Sequence, residues 1–180
     1  MLKKLSYKLV LPVFFISALL INAVFTQAEA RDSDIPKALD LQKDGIIAQE
    51  KGIPILLEFT MHGCPFCEEV EEEVLRPMLI SGDYDNKVIV RNIKIDEEDT
   101  TIIDFNGEKI TYEELAERYY VYVAPTLILV QGDGKEMGLE MVGVTTIDYY
   151  GAYLDQAIDQ AMKKIATAIK KITSADSPAS

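Results

Sequence analysis

The chain has 180 residues, enough for one ordinary domain, and 48% of them are apolar, enough to fill a sizeable core. Its formal charge of −12 excludes the basic footprint that nucleic-acid binding needs and argues against docking on anionic lipid.

In chain order, the first 30 residues read as an export leader. Lys3, Lys4 and Lys8 form a basic start, Leu9 to Ile21 an apolar stretch, and Ala28-Glu29-Ala30 a small-x-small cleavage pattern. The apolar stretch is shorter than the ~20 residues of a spanning helix, and Asn22 interrupts it, so cleavage is expected over a retained anchor. The leader carries three lysines and one glutamate, which leaves −14 on the rest. The expected divisions are a leader over 1–30, a domain over 31–173 and a small, polar, flexible tail over 174–180.

Asp34 and Pro36 suggest the start of a first helix over residues 35–50, with Ile35, Ala38, Leu39, Ile46 and Ile47 as its apolar face and Gly52 as its end. Ile53 to Thr60 reads as a buried strand containing one acid, Glu58. Glu68 to Ile80 has helical spacing interrupted at Pro77, and its run of glutamates reads as a solvated face. Val88 to Ile95 is a second strand, and Asp96 to Lys109 is polar and turn-rich. Thr111-Tyr112-Glu113-Glu114 is a capping box for a helix to about Tyr119. Thr126 to Val130 is a third strand, Gln131-Gly132-Asp133-Gly134 a hairpin turn, and Glu136 to Val144 the returning strand. A last helix runs to about Lys171 with Ile147, Tyr150, Leu154, Ile158, Met162, Ile165 and Ile169 on its expected buried stripe. This order predicts an α/β fold, a mixed central sheet with helices on both faces.

The two cysteines, Cys64 and Cys67, lie three positions apart in Cys64-Pro65-Phe66-Cys67. A cross-link that closes so small a loop removes little chain entropy, so its value is chemical rather than structural. A zinc site would need more ligands than these two and His62, the only histidine, supply. No metal or other cofactor is expected. Cys64 stands where a strand hands over to a helix, with unpaired N–H groups and the positive end of the helix dipole favouring its thiolate. It is the expected attacking thiol. Cys67, one turn further in, is the expected resolving thiol. Glu58 has two open readings: a proton acceptor for Cys67, or a strand acid that reaches solvent or pairs with Lys94. His62 is a candidate base for Cys64 or a side chain pointing into water. The bond before Pro125 would be trans on general preference.

The order strand, Glu58-Phe59-Thr60-Met61-His62-Gly63-Cys64-Pro65-Phe66-Cys67, helix, then Val123-Ala124-Pro125-Thr126, hairpin and last helix resembles the thioredoxin superfamily over residues 35–160. Asp104-Phe105-Asn106-Gly107, Thr111 to Tyr120 and Pro125-Thr126 are similar to exported bacterial thioredoxins of the SoxW type, found with sulfur-oxidation systems. The resemblance implies a thioredoxin fold and a protein-disulfide oxidoreductase. It implies a cis bond at Pro125 beside the cysteines, Ala124 as backbone partner of an incoming substrate strand, and Glu58 as the buried acid that manages the proton of Cys67. Phe66, between the thiols, joins Ala124 and Pro125 as a candidate for partner binding. Two departures stand out: Gly63 precedes Cys64, and Pro-Phe lies between the thiols, a dipeptide more like glutaredoxin. The expectation is a monomeric periplasmic enzyme without stable membrane insertion. It would act on protein thiols and disulfides as a reductase fed by a membrane electron donor. An oxidase of folding proteins and a non-catalytic binding module are the alternatives.

Overall fold

Four strands, numbered in chain order with the other elements, form the central sheet in the order β2 (Ile89–Lys94), β1 (Ile55–Thr60), β5 (Thr126–Val130) and β6 (Glu136–Val142). The computed structural model describes residues 34–175; the leader of residues 1–30 and residues 176–180 of the tail lie outside the described residues. In chain order the elements are α1 (Leu41–Lys51), β1 (Ile55–Thr60), α2 (Pro65–Val70), a π-helical turn (Glu71–Leu75), α3 (Arg76–Ser81), β2 (Ile89–Lys94), β3 (Thr101–Ile103), β4 (Lys109–Thr111), α4 (Tyr112–Arg118), β5 (Thr126–Val130), β6 (Glu136–Val142) and α5 (Ile147–Ala175). β1 runs parallel to β2 and antiparallel to β5, and β5 runs antiparallel to β6. The sheet is therefore mixed, as the order of elements predicts.

Side chains alternate across β1, so each face of the sheet builds its own core. Leu56, with Leu127 and Leu129 of β5, packs against Val70, Val74, Leu75 and Met78 of the α2–α3 helix and Leu154 and Ile158 of α5. Ile169, at the far end of the stripe expected on α5, is exposed. Ile55, Leu57 and Phe59 pack on the other face with Leu41, Ile110, Tyr112 and Leu115 from α1, β4 and α4. Glu58 has the parity of Leu56, so it points toward α2 and α5.

The first helix begins later than its sequence suggests. Residues 35–40 are not helical; they bridge the outer edge of β2, where Asn92 N–H donates to Pro36 O at 2.8 Å and Ala38 N–H donates to Asn92 O at 2.9 Å, and then β3 at Ile103. Pro36 biases Ile35 away from helix, and the open edge of β2 supplies the hydrogen bonds that a helical turn would otherwise make. Asp40, not Asp34, caps α1, accepting from the Lys43 N–H at 2.9 Å. The predicted apolar face is also displaced, since Leu39, Ile46 and Ile47 are exposed. The inward face is Leu41, Asp44, Gly45 and Ala48. Asp44 is matched there by Arg91, whose Nε and Nη2 donate to it at 2.7 and 2.5 Å. A side chain at Gly45 would put its Cβ 2.2 Å from the Gly132 carbonyl oxygen, so only glycine lets α1 sit on the β5–β6 turn.

The α2–α3 helix passes through Pro77 without ending. Pro77 cannot donate to the preceding turn, and upstream the ladder widens to a π turn in which Arg76 N–H reaches Glu71 O. The polar stretch after β2 contains the short β3–β4 hairpin, whose three-residue strands are too brief to show alternation in sequence. The capping box at Thr111 forms as predicted, with Glu114 N–H donating to Thr111 Oγ1 at 3.1 Å and Thr111 N–H to Glu114 Oε2 at 2.8 Å. Gln131 to Gly134 makes the predicted turn, closed by Gln131 N–H to Lys135 O at 2.8 Å.

Candidate active site

The C-terminal end of β1 leads through Met61, His62 and Gly63 to Cys64, the N-cap residue of α2. Pro65 occupies the first helical position, where its missing N–H costs nothing. Cys64 and Cys67 are joined by a disulfide with their Cα atoms 5.3 Å apart. The two sulfurs are not equivalent in their surroundings. Cys64 is half-buried, and its Sγ accepts the Cys67 backbone N–H at 3.2 Å. Cys67 is only 3% exposed. Phe66, between them, is 57% exposed, so an apolar ring stands beside the sulfur at the surface.

Ala124-Pro125 is a cis peptide, the form implied by the family resemblance rather than by general preference. Thr126, the next residue, pairs with Phe59 in the antiparallel register, which brings Pro125 to the same end of the sheet as Cys64. Thr126 Oγ1 donates to Val123 O at 2.7 Å, and Gly143 N–H donates to Pro125 O at 2.7 Å, so the loop is fixed from both sides.

Glu58 is fully buried. Its register partners are Asn92 on β2 and Leu127 on β5. Asn92 Nδ2 donates to Glu58 Oε2 at 3.1 Å and to Thr60 Oγ1 at 3.1 Å, while Glu58 Oε1 has no hydrogen-bond partner among the described residues. Burial, and then the charge of Glu71, push the Glu58 carboxyl from its ordinary 4.5 up to about 8, against a smaller lowering by Asn92. The sequence reading that paired Glu58 with Lys94 gives way to this arrangement: Lys94 stands opposite Thr60, and its ammonium lies 3.9 Å from Glu97.

Glu71 corrects a second reading. It is 7% exposed, inside a run whose composition reads as a solvated face, because it falls on the inward stripe Cys67, Val70, Glu71, Val74 and Leu75. Helical spacing from Cys67 is the signal that identifies it. His62 is exposed, in keeping with the reading that turns it toward water, and it also engages Asp96. Its backbone N–H donates to Asp96 Oδ2 at 2.9 Å and its Nδ1 lies 3.1 Å from Asp96 Oδ1. Burial raises Asp96, but the His62 hydrogen bonds outweigh it and hold that carboxyl below its ordinary value. His62 thus tethers the loop before Cys64 to the segment after β2. Among the described residues no three His, Cys, Asp or Glu side chains converge as a metal site requires.

The thioredoxin-like domain model matches residues 41–158. No curated protein matches the sequence. Among solved structures, the DsbH oxidoreductase is similar with a TM-score of 0.52 and 16% identity, over 80% of this chain and 98% of that one. A Thermus thermophilus thioredoxin has a TM-score of 0.49 and 20% identity, over 70% of this chain and 86% of its own. A Fasciola hepatica thioredoxin has a TM-score of 0.47 and 17% identity, over 70% and 98%. The mixed sheet with flanking helices is the thioredoxin fold, and with a Cys-Pro-x-Cys pair it supports thiol–disulfide oxidoreductase activity in general. The matched domain fills most of the chain, and the protein belongs to the thioredoxin-like domain family.

Proposed function

We propose that this protein is an exported dithiol–disulfide oxidoreductase, similar in type to SoxW, that reduces disulfides of partner proteins in the periplasm. The observation that carries the reading is the asymmetry of the cysteine pair: a half-buried Cys64 sulfur at a helix start that accepts a backbone N–H, and a buried Cys67. A reduced Cys64 at that position gains its thiolate from the N–H and the helix dipole and attacks a partner disulfide. Cys67 then displaces the partner from the mixed disulfide.

Cys67 must lose its proton to do so. Glu58, buried and holding its proton to about pH 8, is suited to exchange one near neutrality. Ala124, held by the cis bond to Pro125, offers its backbone to an incoming strand, and the exposed ring of Phe66 adds apolar contact. Sustained reduction in an oxidising compartment requires an electron source, which assigns the chain a membrane donor.

Insulin reduction by the wild type against Cys64→Ser tests the activity; equal turnover in the two would remove the enzyme reading and leave a binding module. The reduction potential tests direction. A value near about −270 mV fits a reductase, and one near about −120 mV identifies an oxidase. Cys67→Ser should accumulate mixed disulfides on Cys64 in vivo, and the trapped proteins name the pathway. Cleavage after Ala30 is read from the N-terminal sequence of the periplasmic protein, and the monomer from its sedimentation.

A further inference from the structure

An open groove of about 280 Å³ runs between the end of β6 and the first turns of α5, with Met141, Val142, Gly143, Thr146, Tyr149 and Tyr153 on its walls. It belongs to the cysteine end of the molecule. Val142 pairs with Thr126 and Thr126 with Phe59, so these three form the last rung that β6, β5 and β1 share before Pro125 and Cys64. Gly143, the next residue on β6's side, donates its N–H to Pro125 O at 2.7 Å. One hydrogen bond therefore separates the groove wall from the cis bond at Ala124-Pro125.

The apolar walls of the groove are not consumed by the fold. α5 turns Tyr150 and Leu154 into the core, and a Cβ at Gly151 would stand 3.6 Å from Val74 Cγ1, so that side of the helix is pressed onto the α2–α3 layer. Tyr149 and Tyr153 lie on the other side. Four residues apart, they are neighbours on the helix surface, and each is 62% exposed. Val142, which shares the groove with them, is 54% exposed. A lone exposed tyrosine needs no explanation, but two phenol rings and a valine around one open groove make a contiguous apolar patch, the mark of a surface that another molecule covers.

We propose that Tyr149, Tyr153 and Val142 form a side-chain pocket for the partner polypeptide, one that takes a large aromatic residue two positions from the cysteine under attack. The proposal rests on the reading of the chain as an oxidoreductase that holds its partner at Ala124. Its occupant follows from the continuity of the groove with that site: a partner must bring one sulfur to Cys64, and the segment that carries this sulfur passes Ala124 and Pro125. An extended segment advances about 3.3 Å per residue and turns every second side chain to the same side, so the residue two positions on stands about 7 Å from the cysteine, at the groove that begins beyond Gly143. Main-chain pairing at Ala124 is blind to the partner's sequence, and the pocket adds a preference for what flanks the disulfide. An aromatic ring matches two phenols because it packs against their faces or edges while their hydroxyls stay in water. Asp148, exposed on the same turn of α5, disfavours an acidic residue there.

The test uses two peptides of one sequence that differ only in carrying Phe or Ser at the positions two before and two after a single cysteine. That cysteine is capped as a mixed disulfide with thionitrobenzoate. When the pre-reduced protein attacks, Cys64 bonds to the peptide sulfur, the bond to the cap breaks, and its electron pair leaves on the coloured thiolate, whose release is followed by stopped flow. Rates with free dithiothreitol correct for the peptides' intrinsic reactivity. The wild type should react about tenfold faster with the Phe peptide, and in Tyr149→Ser/Tyr153→Ser the ratio should fall to about one. Circular dichroism checks the fold of the variant. No Phe preference in the wild type, or the same preference in the variant, overturns the pocket. Sedimentation of both proteins supplies another arm: self-association of the wild type that the variant lacks would give the groove to a second copy and overturn the proposal. A wild type that reacts with neither peptide faster than Cys64→Ser does would instead remove the oxidoreductase reading, and the pocket with it.

Discussion

Replacing Glu58 by glutamine should stabilise the oxidised protein, and by an amount that depends on pH. The carboxyl ionises near 4.5 in an unfolded chain and at about 8 in the fold. Between those values the native state keeps a proton that the unfolded state has released, so stability is full below pH 4.5, falls as pH rises, and levels off above pH 8. At about 1.4 kcal/mol for each pH interval of one, the loss reaches about 3 kcal/mol by pH 7. Glutamine retains an acceptor for Asn92 Nδ2 and carries no charge, so the variant escapes that loss. For a domain of this size the difference is about 10 °C in Tm at pH 7, shrinking to a small offset at pH 4. The assay is thermal denaturation of both oxidised proteins across pH 4 to 9, followed by far-UV circular dichroism. A difference that stays constant over that range, or a wild type more stable at pH 7, would refute the assignment of a proton-bearing buried acid.

Gly45→Ala should lower the urea midpoint, because the new Cβ meets the Gly132 carbonyl at 2.2 Å and the resulting overpacking, about 1–3 kcal/mol, exceeds the helix propensity gained. A midpoint equal to or above wild type would contradict the close approach of α1 to the hairpin. Arg91→Ala leaves buried Asp44 without its paired donors and should cost about 3 kcal/mol, part of which Asp44→Ala restores in the double variant. A double variant no more stable than Arg91→Ala would show that the pair is not coupled. Thr111→Ala removes one arm of the capping box and should cost about 1 kcal/mol, seen as faster amide hydrogen exchange at Glu114; unchanged exchange would refute the cap.

The parts of the molecule that sequence made legible are those whose chemistry is local. Cys64-Pro65-Phe66-Cys67 announces its helix start through Pro65, the capping box at Thr111 is written in four residues, and the hairpin at Gln131 to Gly134 in its glycines. Buried β1 and β5 were readable as apolar runs. What escaped depends on partners distant in the chain. Ile35, Ala38 and Leu39 have apolar spacing that suits a helix, but β2 and β3 offer this segment bridges that sequence does not display. Glu71 hides among glutamates, and only the face shared with Cys67 reveals that it points inward. Asn92 became part of the site through the β1–β2 register, which no feature of its own segment specifies. The hydroxyl of Tyr150 looked like one more member of an apolar stripe; its lack of a partner is visible only in three dimensions.

The bridging segment over residues 35–40 has a consequence for association between molecules. An outer strand with free N–H and C=O groups is a template on which another chain can add itself. Here the protein caps that edge at Asn92 with a bridge from its own sequence, donating from Ala38 and accepting at Pro36. Loss of the segment by proteolysis would leave every later element intact in sequence yet convert β2 into an adhesive border, so clipping ahead of Leu41 should first show itself as self-association rather than as lost chemistry.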